Sequence, residues 1–381
     1  MNLLKNKKKR KLPKKKILFF SFIAVVVIVL ITGFVMLLTR GRELSDTMLE
    51  LPVSLSSSSD TAAATTTQAR PYFAAGPYIV YTQGDLLTCL DAKLNTVWQL
   101  RLFSSGLEYT SDNDIIAATG YGVIQVIDTK GQHLFSTQLD GEISSARIGK
   151  DKVAVYVYQT VDEATKQYIV VFDLNGESLY QIDVTDRYVL RYGFDADSSL
   201  LYVLELDVSG STPISRILTY RPETQSVTGR IELKNQIVSS LYISGNQMYA
   251  IGTNQMTMFA SQSAESASIM IYGWALNDIC CLPDPRFVFV PANSEKEINI
   301  VRTIRGSGNE LTINLPPGVF DIVHTSDKIY CFANDKIFVY TVEGKYLRMY
   351  TLPFEISSVE RAIEKHVFVT QGNKAYLLPL P

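Results

Sequence analysis

The sequence predicts an all-β fold, and three observations support that prediction. From Tyr72 onward, apolar runs alternate with turns rich in Gly, Asn, Asp and Pro, which is the pattern of short strands. No long helical period interrupts these runs. The pattern then recurs at intervals of about 40 residues. We therefore expect one repetitive all-β unit over residues 72–381.

A pair of strands joined by a tight turn is the repeated element. Tyr78–Asp91, Asp114–Asp128 and Ile329–Thr341 align as two apolar strands around a polar turn. The residues that close the second strand lie 37 to 48 positions apart, and they are Asp91, Asp128, Asp173, Arg221, Ala260, Arg302, Thr341 and Pro379. Four strands in a unit of about 40 residues are typical of a propeller blade. The sequence therefore predicts a β-propeller of four-stranded blades, with eight blades favoured and seven as the alternative.

The last unit, Glu355–Pro381, contains only three strand signals. An open edge on a ring of sheets leaves backbone groups unpaired and promotes aggregation. We therefore expect a strand from the segment before Tyr72 to complete this blade and close the ring.

Three of the units carry a further motif, in which an aliphatic residue and Asp precede a turn. The segments are Leu90–Trp98, Ile127–Gly131 and Phe172–Glu177. They resemble repeats of the PQQ-like β-propeller superfamily, although the docking aromatic residue stands one position early. With its N-terminal features, the chain also resembles uncharacterised single-pass extracytoplasmic propeller proteins of Gram-positive, clostridial bacteria, and it is similar to the non-enzymatic propeller of outer-membrane assembly machinery. The resemblance implies a propeller and assigns no substrate.

The N-terminal segment is typical of a membrane anchor. Ile17–Leu38 contains 22 residues without a charge, and a helix of that length spans about 33 Å, enough for a bilayer core of about 30 Å. Nine basic residues precede it, whereas Arg40 and Arg42 follow it, so the N-terminus is predicted to be cytoplasmic and the rest extracytoplasmic. The lipid bilayer is the expected partner of this cell-membrane segment.

Composition divides the chain into four parts. Residues 1–16 form a basic cytoplasmic tail and residues 17–38 a transmembrane helix. Residues 39–71 include the Ser/Thr/Ala-rich run Ser54–Ala69, and they are predicted to be a flexible stalk because they contain too little apolar surface to fold. Residues 72–381 form the extracytoplasmic propeller.

Charge and composition exclude several classes of partner and site. Residues 43–381 carry 25 basic against 38 acidic side chains, a net charge of −13, so no nucleic-acid partner is expected, because phosphate binding requires clustered positive charge. The three His residues lie far apart, and therefore no metal is expected. The adjacent Cys280 and Cys281 are the sole resemblance to a quinoprotein enzyme, and they are interpreted as buried apolar residues. No cofactor is expected.

Two acids remain as candidate site residues. Asp278 and Asp321 stand at the predicted starts of neighbouring first strands, where they can meet at one mouth of the ring, or can be solvated turn residues. The other predicted first strands carry mostly small, hydroxylic or apolar residues, so no catalytic constellation is found. The sequence favours a non-catalytic binding or scaffold module for a protein or a cell-envelope component. The alternative is a membrane-tethered quinoprotein-like or glycan-acting enzyme.

Overall fold

The structure, a computed structural model, describes residues 42–44, 47–54, 71–161, 164–260, 264–280, 284–294, 297–363 and 365–381. These residues form eight sheets of four or five strands. The predicted all-β propeller is therefore confirmed with eight blades, and the seven-bladed alternative is wrong. The predicted anchor Ile17–Leu38 lies outside the described residues. Within the described part of the chain, no helix has the length and apolar composition needed to cross a bilayer.

The strands follow one another around the ring. The first two are β1 (Arg42–Glu43) and β2 (Leu49–Ser54). Blades 1 and 2 contain β3 (Tyr72–Ala75), β4 (Tyr78–Gln83), β5 (Leu86–Leu90), β6 (Thr96–Arg101), β7 (Glu108–Asp112), β8 (Ile115–Gly120), β9 (Val123–Asp128) and β10 (His133–Gln138). Blades 3 and 4 contain β11 (Glu142–Ile148), β12 (Lys152–Val161), β13 (Ala164–Asp173), β14 (Ser178–Asp183), β15 (Tyr188–Phe194), β16 (Leu201–Asp207), β17 (Ile214–Arg221) and β18 (Ser226–Lys234).

The second half of the ring continues in the same order. Blades 5 and 6 contain β19 (Val238–Ser244), β20 (Gln247–Gly252), β21 (Gln255–Ala260), β22 (Ala264–Met270), β23 (Trp274–Cys280), β24 (Arg286–Pro291), β25 (Ile300–Arg305) and β26 (Glu310–Asn314). Blades 7 and 8 contain β27 (Val319–His324), β28 (Lys328–Ala333), β29 (Lys336–Thr341), β30 (Tyr346–Thr351), β31 (Ser358–Arg361), β32 (His366–Gln371) and β33 (Lys374–Pro379).

Each blade is an antiparallel meander, and this topology defines two faces of the ring. The first strands of neighbouring blades contact each other and therefore line the centre. Because strand direction alternates, the crossovers between blades and the turns between second and third strands lie on one face, which we call the upper face. The turns between first and second strands and between third and fourth strands lie on the opposite, lower face.

The hydrophobic core lies between the blades. The described residues form eight buried clusters, and each cluster joins two neighbouring blades. In β8, Ile115 and Ala117 pack towards blade 3, whereas Ile116 and Ala118 pack towards blade 1. Side chains alternate across a strand, and a sheet covered on both faces therefore needs a continuous apolar run. This requirement explains why the middle strands are apolar throughout.

The N-terminal strands close the ring. β2 pairs antiparallel with β33 and supplies the outer strand that blade 8 lacks, as the three strand signals of the last unit predict. Leu51 is 4% exposed and belongs to the cluster between blades 8 and 1. β1 adds a fifth, parallel strand to blade 7. The segment 39–71, predicted to be a stalk, therefore contains two strands of the propeller, and residues 55–70 connect β2 to the inner strand of blade 1.

The aromatic motif docks one blade onto the next. The Nε1 of Trp98, in blade 1, donates a hydrogen bond to the carbonyl of Thr129 in blade 2 at 2.8 Å. A Cβ on Gly131 would lie 2.8 Å from the Trp98 ring, so the indole packs directly on this glycine, which has a φ of +84°. Phe135 packs in the same way on Gly176 of blade 3. Trp98 and Phe135 thus each pack on a glycine turn of the next blade.

Candidate functional site

Asp278 and Asp321 occupy equivalent positions on the inner strands of blades 6 and 7. Each follows an irregularity in strand register, which lies between Leu276 and Asp278 in β23 and between Val319 and Asp321 in β27. In each aspartate, Oδ1 accepts the backbone N–H of the next residue, at 2.8 Å and 2.7 Å respectively. Both residues therefore lie within strands that line the ring, and their predicted placement at strand starts is wrong.

Asp278 holds three blades together. Its Oδ2 accepts the backbone N–H of His324 in blade 7 at 3.0 Å and the Nη2 of Arg361 in blade 8 at 2.5 Å. Arg361 also donates to the carbonyl of His324 at 2.6 Å. Because His324 and Arg361 end their strands, this bridge lies at the lower face. The carboxylate that the sequence offers as a candidate site residue thus has a structural partner on each of the next two blades.

His324 is fully buried beside this bridge. The guanidinium of Arg286 lies with Nη1 3.0 Å from the His324 Nε2. A guanidinium can only donate, so Nε2 accepts and the proton of the neutral ring stands on Nδ1. Burial, followed by the positive charges of Arg286 and Arg361, lowers the pKa of His324 to about 3. The imidazole is therefore neutral at physiological pH.

Polar side chains join the inner strands of neighbouring blades elsewhere too. Ser111 donates to the carbonyl of Ala74 at 2.5 Å, and the Tyr192 hydroxyl donates to the carbonyl of Ser145 at 2.8 Å. The Nδ2 of Asn277 donates to the carbonyl of Ile322 at 2.9 Å. Polar residues of the first strands thus have a structural role, because their hydrogen bonds join adjacent blades around the centre.

The described residues present few groups for metal or thiol chemistry. No group of three or more His, Cys, Asp or Glu side chains among them is arranged to hold a metal ion. Cys89 and Cys331 are buried free thiols, and burial raises the pKa of each to about 12. Cys280 is also buried, and Cys281 lies outside the described residues. A thiol with so high a pKa is protonated and therefore a poor nucleophile.

The exposed apolar side chains are distributed unequally over the surface. Among the described residues, thirteen large hydrophobic side chains are exposed, and eight of them lie on the upper face. We call these eight the apolar arc; they are Phe103, Tyr121, Tyr188, Leu190, Val208, Ile237, Met270 and Tyr272. The other five are Leu49 on β2 and, on fourth strands within two residues of a lower-face turn, Val97, Val227, Tyr346 and Leu347. Within the described chain, no lower-face turn carries one.

The lower-face turns are polar and internally bonded instead. In three of them an aspartate accepts two backbone N–H groups through Oδ1. These residues are Asp91, Asp128 and Asp173, which the sequence marks as closing the second strand of the repeated strand pair. Such turns satisfy their own backbone groups. The contrast with the apolar arc makes the upper face the candidate interaction surface.

At least four open grooves lie on the upper face of the described part of the ring. One, of about 640 Å³, lies between blades 6 and 7 and is lined by Pro316, Phe320 and Lys336. Three more, of about 440, 580 and 490 Å³, all include Arg187 in the crossover between blades 3 and 4. They lie beside Tyr188 of the apolar arc. The sequence alone did not predict this surface. The aromatic residue Tyr188, which stands in a segment without apolar period, was a signal for it.

Comparisons with known proteins agree with the fold. The family model described as "Family of unknown function (DUF5711)" matches residues 53–376. No curated protein matches the sequence. The structure of BamB from Moraxella catarrhalis is similar with a TM-score of 0.53 and 12% identity, over 84% of this chain and 99% of that one. Sqt1 from Saccharomyces cerevisiae has a TM-score of 0.54 and 10% identity, over 83% and 98%. Identities this low show a shared β-propeller fold alone.

Proposed function

Because the chain belongs to the DUF5711 family, whose function is unknown, we propose from its surface that it is a non-catalytic binding or scaffold module for a protein partner. The single observation that carries this proposal is the apolar arc. Its members Tyr188, Leu190 and Val208 line the grooves around Arg187, and exposed apolar side chains beside grooves are typical of interaction sites.

The state of Asp278 supports a non-catalytic role. Its Oδ2 is engaged by Arg361 and by the backbone of His324, and its Oδ1 by its own strand. Three of the roughly four lone-pair sites of this carboxylate are thus occupied by groups of the ring itself. A turnover assay on the Asp278→Asn and Asp321→Asn variants tests this part, and turnover of a defined substrate that either variant abolishes contradicts it.

We further propose that the module is held outside the cell membrane by Ile17–Leu38. The uncharged length of that segment and the basic residues before it support this arrangement. β1 begins at Arg42, so four Cα steps separate it from Leu38, and an extended chain covers about 14 Å in that distance. The ring would therefore lie close to the membrane, where it meets membrane proteins and envelope components. The contact of Trp98 with Gly131 supports a place in the PQQ-like superfamily.

Affinity capture with matched surface variants tests the proposed binding function. The bait is the full-length protein, with Tyr188→Ser and Tyr272→Ser combined in one variant and Tyr346→Ser as the control. Tyr346 is 51% exposed on an outer strand, which makes it comparable with Tyr188 at 66%. We expect a partner captured from envelope extracts, and then reconstituted in pure form, to bind the control as it binds the wild type and to bind the double variant at least tenfold more weakly.

The opposite pattern would overturn the proposal. If the reconstituted partner binds the double variant with unchanged affinity, the apolar arc is not its binding surface. If Tyr346→Ser alone weakens binding, the partner contacts the outer strands instead.

A further inference from the structure

The three grooves around Arg187 form one recess, which we call the Arg187 recess. Blade 3 borders it with β12 and β13, which at ten residues each are the longest strands of the described chain. Blade 4 borders it with the connection between β16 and β17, which carries Asp207 and Val208. The crossover Asp186–Tyr188 lies between these two walls and takes part in all three grooves. The recess therefore extends across two blades.

Exposed apolar side chains line the Arg187 recess. Tyr188, in the crossover, is 66% exposed, and Val208, on the blade 4 wall, is 53% exposed. Leu190 and the Tyr158 ring line the groove nearest the inner strands. Covering exposed aromatic and aliphatic side chains with a partner is favourable, because it removes apolar surface from water. The recess is thus suited to an occupant with apolar side chains.

Two of the three cations that line the recess, Arg187 and Arg216, are already paired with carboxylates, whereas Lys166 forms no ion pair among the described residues. The Nη1 of Arg187 donates to the buried carboxylate of Glu205 at 2.9 Å. Arg216 makes ion pairs of 3.2 Å with both Asp207 and Glu232. These guanidinium groups are therefore held by carboxylates of the ring and attract an anionic ligand only weakly.

Two carboxylates of the recess have no such partner. Among the described residues, neither Asp183 nor Asp186 forms an ion pair, and both lie at the surface of the crossover between blades 3 and 4. Hydrogen bonds from the backbone and hydroxyl groups of Thr185 lower the pKa of Asp183, which keeps this carboxylate ionised at neutral pH. Lys166 compensates one of these two carboxylates, so the recess keeps one net negative charge, and the net charge of residues 43–381 is also negative.

We propose that the Arg187 recess binds an extended segment of a protein partner in which apolar side chains stand next to Lys or Arg. This inference rests on the proposed function and names the chemistry of the partner. The apolar residues cover Tyr188, Leu190 and Val208, and the cations pair with Asp183 and Asp186. An anionic lipid surface does not fit, because the same carboxylates repel it.

Two labelled synthetic peptides test the proposal directly. Both are twelve residues long and contain the same Phe and Leu residues, with two Lys in one peptide and two Glu in the other. Fluorescence anisotropy with the full-length protein measures their affinities. We expect the Lys peptide to bind about tenfold more tightly than the Glu peptide, since two exposed ion pairs each contribute a factor of a few. Tyr188→Ser is expected to weaken both peptides.

Matched variants identify the charges responsible. The double variant D183N/D186N is expected to remove at least half of the difference in log Kd between the Lys peptide and the Glu peptide. Glu177→Gln removes an exposed charge from the lower face of the same blade and is expected to leave the preference unchanged. Asn retains the oxygen that accepts from Thr185, so the D183N change preserves the local fold. An equal effect of E177Q and D183N/D186N overturns the proposal, as does stronger binding of the Glu peptide.

A vesicle arm separates lipid from protein as the occupant. The protein is sedimented with phosphatidylglycerol vesicles. If it binds the vesicles, if Tyr188→Ser abolishes this binding, and if neither peptide binds, the proposal is overturned in favour of a membrane contact. If a reconstituted partner depends on Tyr272 but tolerates Tyr188→Ser and D183N/D186N, the recess assignment is wrong while the proposed function of the upper face stands.

Discussion

His324 couples the stability of the ring to pH at the scale of a single residue. In the folded chain its ring is buried beside Arg286, and its pKa is about 3. In the unfolded chain an ordinary His has a pKa of about 6.5. The unfolded state therefore takes up a proton as the pH falls below 6.5, whereas the folded state does not until about pH 3. Stability is lost in this window as the pH falls, and it is unaffected above it.

The size of this effect can be predicted for His324. By pH 5.5 the linkage lowers the free energy of unfolding by about 1.4 kcal/mol relative to pH 7.5. We expect His324→Gln to remove this difference, because Gln does not titrate and its oxygen can still accept from Arg286. Urea unfolding of both proteins at pH 7.5 and pH 5.5 measures it. Identical pH dependence in the variant and the wild type would show that His324 is accessible to protons in the fold.

The Asp turn and its docking ring are the unit that recurs at the scale of the element. Gly131 has a φ of +84° and meets the Trp98 ring, whereas Gly84 has a φ of +66° and no atom within 4 Å of the point where a Cβ would stand. Comparing the two glycines therefore distinguishes two structural requirements of a turn. Both must adopt a left-handed backbone, but only Gly131 must also leave room for the neighbouring blade.

Alanine at these two glycines measures the value of docking. Gly84→Ala is expected to cost about 1 kcal/mol, from the strained backbone alone. Gly131→Ala is expected to cost about 1 to 3 kcal/mol more, because its Cβ would overlap the indole and push blades 1 and 2 apart. Thermal or urea unfolding of the full-length protein compares them. Equal losses from the two substitutions would mean that Trp98 moves aside freely.

Ring closure by β2 is the feature that acts at the scale of the whole molecule. Leu51, 4% exposed, lies in the cluster between blades 8 and 1, whereas Leu49 on the same strand is 38% exposed. We expect Leu51→Ala to lower the free energy of unfolding by about 3 kcal/mol, through lost burial and the cavity that remains. Leu49→Ala is expected to cost less than about 1 kcal/mol. Urea unfolding distinguishes the two, and comparable losses would show that β2 does not seal the ring.

Much of this architecture could be predicted from local signals. Most of the markers that end each repeat lie at the end of a third strand, such as Asp128 in β9 and Thr341 in β29. Arg302 is an exception, since β25 continues to Arg305 and the turn follows at Gly308.

Other features depend on contacts that the sequence does not display. The ion pair of Asp278 with Arg361 spans 83 positions and two blade boundaries, so no local pattern predicts it. The sequence predicts a closing strand before Tyr72 but not its position at Leu49–Ser54, because that strand borders the Ser/Thr/Ala-rich run that dominates residues 55–70. The Arg187 recess needs residues from the separate strands of blades 3 and 4. Each of these features is formed only when the ring is assembled.

The pairing of β2 with β33 also has a consequence for biosynthesis. Glu50 and Lys374, which form an ion pair across these strands, are 324 positions apart. At about 5 to 20 residues per second, translation needs roughly 16 to 65 s between them. During that time β2 has no partner, and blade 1 exposes the apolar face that blade 8 later covers. We expect such a nascent chain to depend on chaperones until β33 has been made.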